Sequence, residues 1–175
     1  MSEACPGDAP CPAPPPIVRS SRPDCVRVLD TVVRHAPGDA RGTAVFLLDC
    51  SQAPGSRRQV GSRSLDDTVV AEAARRIRAA SPTWHRLLRG EQGEFIVIAQ
   101  GLVDSGTVLG TAARLVHAFD DALQGSELPS VEVSVGIALA SQQGACAEAL
   151  LSAAEAGLRD AMTAARRGRR RRKLA

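Results

Sequence analysis

The chain reads as a mixed α/β (α+β) domain with a ferredoxin-like or palm sheet, its elements in the order β-α-β-β-α-β-α. Three observations predict this. Residues 43–48 are apolar throughout, which suits a strand covered on both faces. Two apolar runs, residues 87–88 and 96–98, flank a short polar turn that contains glycine, the signal of a strand-turn-strand hairpin. Segments with helical spacing alternate with strand-like ones, an arrangement that packs helices on a sheet.

Each element has its own warrant. The first strand, Thr-Ala-Val-Phe-Leu-Leu, ends at Asp49. A polar loop follows over residues 51–63, rich in Gly, Ser and Arg. The next helix is expected from Ser64 as N-cap with Asp67 three residues on, a start that resembles a capping box. Leu65, Val69, Ala73 and Ile77 recur along it at helical spacing. After the hairpin a second helix begins near Asp104 or Ser105, with Val108, Ala112, Leu115, Phe119 and Leu123 on one face. Residues 131–138 alternate at period two, as a strand does. A last helix carries Ala147, Leu151, Ala154, Leu158 and Met162 on one side.

At 175 residues and 44% apolar content the chain holds one core's worth of domain. Residues 1–24 hold much of the proline, including Pro12, Pro14, Pro15 and Pro16, and no apolar periodicity, so a disordered tail is expected there. Residues 25–40 read as a linker with a short helix from Cys25 to His35, where Val26, Leu29, Val32 and Val33 share a face. The domain proper is expected over 41–165 and a basic tail over 166–175. No secretory signal and no run long enough to span a membrane is evident, which points to a cytoplasmic protein without a membrane partner. Five cysteines, Cys5, Cys11, Cys25, Cys50 and Cys146, lack zinc-type spacing and are expected as free thiols. Cys50 stands beside Asp49, but without an obvious histidine partner for a catalytic thiol.

Charge is distributed unevenly. Residues 166–173 carry seven of the 22 basic residues, Arg166, Arg167, Arg169, Arg170, Arg171, Arg172 and Lys173, so the rest of the chain has 15 basic against 19 acidic, a net −4. This run reads either as a solvated tail or as an attraction for nucleic acid or another anionic partner. Phe46, Trp84, Phe95 and Phe119 are the only aromatics, too few for a stacking platform.

Arg89-Gly90-Glu91-Gln92-Gly93-Glu94-Phe95 resembles the signature Arg-x-Gly-Gly-Asp/Glu-Glu-Phe of the GGDEF family, the diguanylate cyclases. Arg89, Glu94 and Phe95 stand in register. Glu91 and Gln92 replace the glycine pair, and Gly93 replaces an acid. Residues 133–138, Val-Ser-Val-Gly-Ile-Ala, look like the family's "t-v-S-i-G-v-a" strand, and residues 164–169 look like its closing "A-K-x-x-G-R-N". The resemblance covers roughly residues 45 to 168.

The resemblance implies one GTP per domain, two domains meeting face to face, and carboxylate-held metal ions acting on the ribose 3′-hydroxyl and the α-phosphate. One metal carboxylate belongs at the end of the first strand, where Asp49 stands; the other belongs at Gly93, which has no side chain to offer. Counting from Asp49, Arg57 stands at the guanine-reading Asn and Asp66 at the guanine-contacting acid. Ser51, Gly61, Ser62 and Leu65 fill the other loop positions of that motif. An acid in the first turn of a helix is also favoured by the macrodipole alone, a second reading of Asp66. Glu91 would lie near the triphosphate, and like charges about 4 Å apart cost on the order of 1 kcal/mol in water and about 4 at an effective dielectric of 20. The family's inhibitory Arg-x-x-Asp pair is replaced by Pro82 and His85.

The expectation is therefore a degenerate GGDEF-like domain with a vestigial signature, Glu91, Gln92, Gly93, Glu94 and Phe95. It is expected to be catalytically inactive and to act as a regulatory or protein-interaction module in cyclic-dinucleotide signalling, with a protein partner or as a homodimer. No cofactor is expected, and Mg²⁺ only with residual GTP binding. Two alternatives stand beside it: a residual cyclase or GTP-binding domain with one metal ion on Asp49 and Glu94, and a nucleic-acid-associated regulator using the arginine run. Arg89 is expected as the exposed or semi-exposed cross-strand neighbour of a buried Phe95.

Overall fold

A computed structural model describes residues 17, 19–36, 42–52, 67–80, 86–91, 93–102, 104–120, 131–143 and 146–172. The element order is α1 (Arg22–Arg34), β1 (Ala44–Gln52), α2 (Asp67–Ala80), β2 (Arg86–Arg89), β3 (Phe95–Ala99), α3 (Ser105–Asp120), β4 (Val131–Leu139), α4 (Ala140–Gln143) and α5 (Ala147–Arg172). The expected β-α-β-β-α-β-α order is present, preceded by α1 and interrupted by the single turn of α4. Expected features at Ser64, Leu65 and Leu123 lie outside the described residues.

The four strands form one sheet in the order β2-β3-β1-β4. Every neighbouring pair is antiparallel. This is the ferredoxin-like arrangement: each helical crossover skips one strand position, so the long apolar β1 ends in the middle. There it pairs on both sides, Leu48 with Phe95 and with Val135. A central strand must be apolar on both faces, and β1 alternates accordingly. Val45 and Leu47 join a core formed with Leu29 and Val33 of α1 and Leu150, Leu151 and Ala154 of α5. Ala44, Phe46, Leu48 and Cys50 join a second core with Ala73 and Ile77 of α2 and Leu115 and Phe119 of α3.

Local signals set the helix starts. Ser21 caps α1, its hydroxyl accepting from Asp24 N at 3.3 Å, with Pro23 in the first turn. Asp104 does the same for α3, accepting from Thr107 N at 2.8 Å. Helix α1 thus begins at Arg22, earlier than the expected boundary at residue 25. The preceding residues are also engaged: Arg19 bridges to Arg89, and Ser20 N donates to Arg89 O at 2.7 Å. Arg19 and Ser20, within the span expected as tail, thus pair with the edge of β2 and satisfy backbone groups that an edge strand leaves open. At the other end, the helix does not stop before the basic run. α5 carries Arg166, Arg167, Arg169, Arg170, Arg171 and Arg172 within it; Lys173 lies outside the described residues.

Candidate functional site

The signature segment forms the tip of the β2–β3 hairpin. Gly90 N donates to Glu94 O at 2.8 Å, and Gly93 N donates to Gly90 O at 3.2 Å. Gly93 has φ of +93°. A tight turn closed by a residue in left-handed conformation is a standard three-residue hairpin loop with a bulge, and glycine is favoured at that position. Gly93 therefore has a backbone reason to be glycine. The position where the resemblance implies a metal-binding acid holds the residue that lets the turn close.

Register sets the tip beside the middle of β1, where its pairing with β3 stops. Leu48 faces Phe95 across the β1–β3 pair, and Arg89 faces Phe95 across the β2–β3 pair. Asp49 and Glu94 follow at the next position of each chain. Asp49 is half-buried and opposite Ser134 of β4. Glu91 is exposed at the turn. Glu94 is half-buried; its carboxyl group lies where a Cβ on Gly90 would project, and its Oε2 is buried with no hydrogen-bond partner among the described residues. Phe95 is fully buried, as expected.

Arg89 departs from expectation. It is buried, only 5% exposed, rather than exposed or semi-exposed. The register puts it on the side of the sheet that Phe95 occupies, facing the first turn of α2, where its Nη1 lies 4.0 Å from Asp67 Oδ1. The segment Arg19–Ser20 covers its backbone. Nε and Nη2 have no hydrogen-bond partner among the described residues. Burial, and after it the neighbouring Arg19, pushes the guanidinium below its usual pKa, while Asp67 pulls the other way. No spacing rule marks an arginine before a hairpin turn as buried; only the docking of α2 and the N-terminal segment decides it.

Cys50 is buried in the α2/α3 core, and burial, with Asp49 adding to it, pushes its thiol up to about 12. A thiol held protonated is not a nucleophile. Cys25 and Cys50 are buried free thiols and Cys146 an exposed one; Cys5 and Cys11 lie outside the described residues. So do Asp66, Gln92, Arg57, Gly61, Ser62, Pro82 and His85.

Among the described residues no three His, Cys, Asp or Glu side chains are grouped as a metal site requires. The donor set for a pair of ions does not fit: Asp49 stands at one of the two positions and Gly93, without donors, at the other. No helix among the described residues is long and apolar enough to cross a membrane.

A four-stranded antiparallel sheet in this order, helices on both faces and a bulged hairpin tip beside Asp49 of the central strand define a domain of the nucleotide-cyclase fold. The family model described as diguanylate cyclase, GGDEF domain, matches residues 27–170, and the chain belongs to the GGDEF family. Solved structures agree. A sensory box/GGDEF family protein from Caulobacter crescentus is 25% identical, with a TM-score of 0.60 over 82% of this chain and 93% of that one. The GGDEF domain of YfiN from Pseudomonas aeruginosa is 23% identical, with a TM-score of 0.61 over 82% and 84%. The diguanylate cyclase SiaD, solved in complex with its activator SiaC from the same organism, is 19% identical, with a TM-score of 0.63 over 82% of this chain and 55% of that one. None of the curated proteins matches the chain in sequence.

Proposed function

We propose that this GGDEF domain does not make cyclic di-GMP and acts as a regulatory or protein-interaction module of cyclic-dinucleotide signalling in the cytoplasm. The observation that carries this is Gly93. It stands at the metal-carboxylate position and at φ of +93° closes the turn, so the hairpin is maintained by the residue that removes the chemistry. Exposed Glu91 adds negative charge where a triphosphate would approach. The module works through a protein partner or a second copy of itself; the structural neighbour SiaD, held with its activator, is a precedent for such a domain meeting a regulator. No cofactor belongs to this reading.

The test is conversion of GTP in Mg²⁺ or Mn²⁺, followed by chromatography beside an active GGDEF domain. We expect no cyclic di-GMP. Product above the buffer control that disappears in Asp49→Ala would overturn the proposal. With Pro82 and His85 at the inhibitory-pair positions, cyclic di-GMP itself should bind weakly or not at all, and calorimetry finding low-micromolar affinity, about −8 kcal/mol, would contradict that.

A second reading has one observation in its favour. Among the described residues Glu94 Oε2 is buried without a hydrogen-bond partner, as a carboxylate awaiting a cation would be. Asp49 and Glu94 would then hold a single Mg²⁺ in a GTP-binding, residual-cyclase domain. Titration with Mn²⁺ alone distinguishes the two: saturable binding lost in both Asp49→Asn and Glu94→Gln supports the second, and none supports the first.

A further inference from the structure

The arginine run has no part in the proposed site, and its placement in the fold gives it a role of its own. Helix α5 packs on the sheet through Ala147, Leu150, Leu151, Ala154 and Leu158, with Met162 half-buried at the margin. From Thr163 to Arg167 every residue is exposed, and the helix continues to Arg172. Ten residues, or about 15 Å of helix, thus run on past the core. The sequence after Asp160 contains no acid. Arginines three and four apart on a helix repel each other, and from Thr163 to Arg167 no burial offsets it. An unsupported helix of this charge is built for an anion of matching density.

We propose that this extension is a docking surface for the phosphate backbone of double-stranded nucleic acid. Its charge density favours that occupant. Six arginines occupy the seven positions 166–172, or one charge per ~1.75 Å of helix axis. Duplex DNA presents one phosphate charge per ~1.7 Å, and its major groove admits a helix. Arginine, rather than lysine, predominates, and its planar fork pairs with phosphate oxygens in two parallel bonds. A lipid surface is the poorer fit, since Thr163, Ala164, Ala165 and Gly168 are the remaining residues of the extension and supply no large apolar side chain to enter a membrane. Single strands are the poorer fit too, because no aromatic accompanies the run. The contacts would be to phosphates and therefore independent of sequence.

Fluorescence anisotropy of the full chain with a labelled random-sequence DNA duplex tests this between 50 and 200 mM salt. We expect binding whose log K falls linearly with log salt at a slope of roughly −4.5, as for about five neutralised phosphates. Replacing Arg169, Arg170, Arg171 and Arg172 with Gln should weaken binding at least tenfold at 50 mM salt and flatten the slope to about −1. Circular dichroism and Tm of that variant should match the parent up to Met162, which separates lost contacts from lost fold. Absence of duplex binding at 50 mM salt, or binding unchanged in the variant, would overturn the proposal. So would phosphatidylserine vesicles that bind the chain more tightly than the duplex at equal phosphate concentration.

Discussion

Arg89 shows how far a single residue's setting can depart from its type. Its guanidinium is buried, with two nitrogens unpartnered among the described residues and one exposed acid, Asp67, at the limit of ion-pair distance. A buried charge with so little compensation contributes little to stability, and an apolar residue of similar volume often serves as well or better. Arg89→Met should therefore leave Tm unchanged or raise it, whereas Arg89→Ala, which opens a cavity, should lower it; thermal melts of the pair check this. Phe95 is the opposite case. It is fully buried between β1 and β2 at the tip, so Phe95→Ala should cost about 3–5 kcal/mol in denaturant unfolding. Glu91→Gly with Gln92→Gly should cost only a fraction of that, since Glu91 is exposed. Comparable losses in the two variants would mean that the turn tip packs against something. Gly93→Ala should cost about 1–2 kcal/mol although nothing crowds the position, because the left-handed backbone itself resists a side chain.

At the scale of elements, close approach and charge placement decide. Helix α5 lies directly on Gly136 of β4: a methyl group there would overlap the Ala154 carbonyl oxygen and Leu158 N. A strand glycine often marks such an approach. Gly136→Ala should force the helix off the sheet and cost 1–3 kcal/mol or more, measured by denaturant unfolding. On α2, Glu72 accepts from Arg75 Nε and Nη2 and from Arg76 Nε, each at 2.7 Å. These hydrogen bonds, Arg75 first, lower its carboxyl to about 2. A folded-state pKa below the unfolded value means that the group stabilises the fold above about pH 4.5 and loses this as pH falls towards about 2. The contribution is about 1 kcal/mol or less for a pair open to solvent. The Tm advantage of the parent over Glu72→Gln should accordingly be present at pH 6 and vanish near pH 2.

For the molecule as a whole, the sheet is a shared wall between two cores. One is formed by α1 and α5, the other by α2 and α3, and β1 contributes alternate residues to both. The signature hairpin is tied into this wall by Leu48, Phe95 and Arg89 and survives as structure without a carboxylate at Gly93. Arg166 and Arg167, where the basic run begins, are exposed. Removing residues 166–175 should therefore leave the unfolding free energy within about 0.5 kcal/mol of the parent, as expected for surface changes away from packed features.

The apolar run of β1, the period-two β4, the helical spacing of Val108, Leu115 and Phe119 and the glycine-bearing hairpin were all legible in the sequence, because periodicity and turn chemistry are local. So was the family, through the spacing of Arg89, Glu94 and Phe95, and with it the missing acid at Gly93. The burial of Arg89 and of Glu94 Oε2, the pairing of Arg19–Ser20 with the β2 edge and the contact of α5 with Gly136 were decided only by the tertiary structure. Each depends on which distant segment comes to rest against the residue, and a property that belongs to the pair cannot be read from either partner alone.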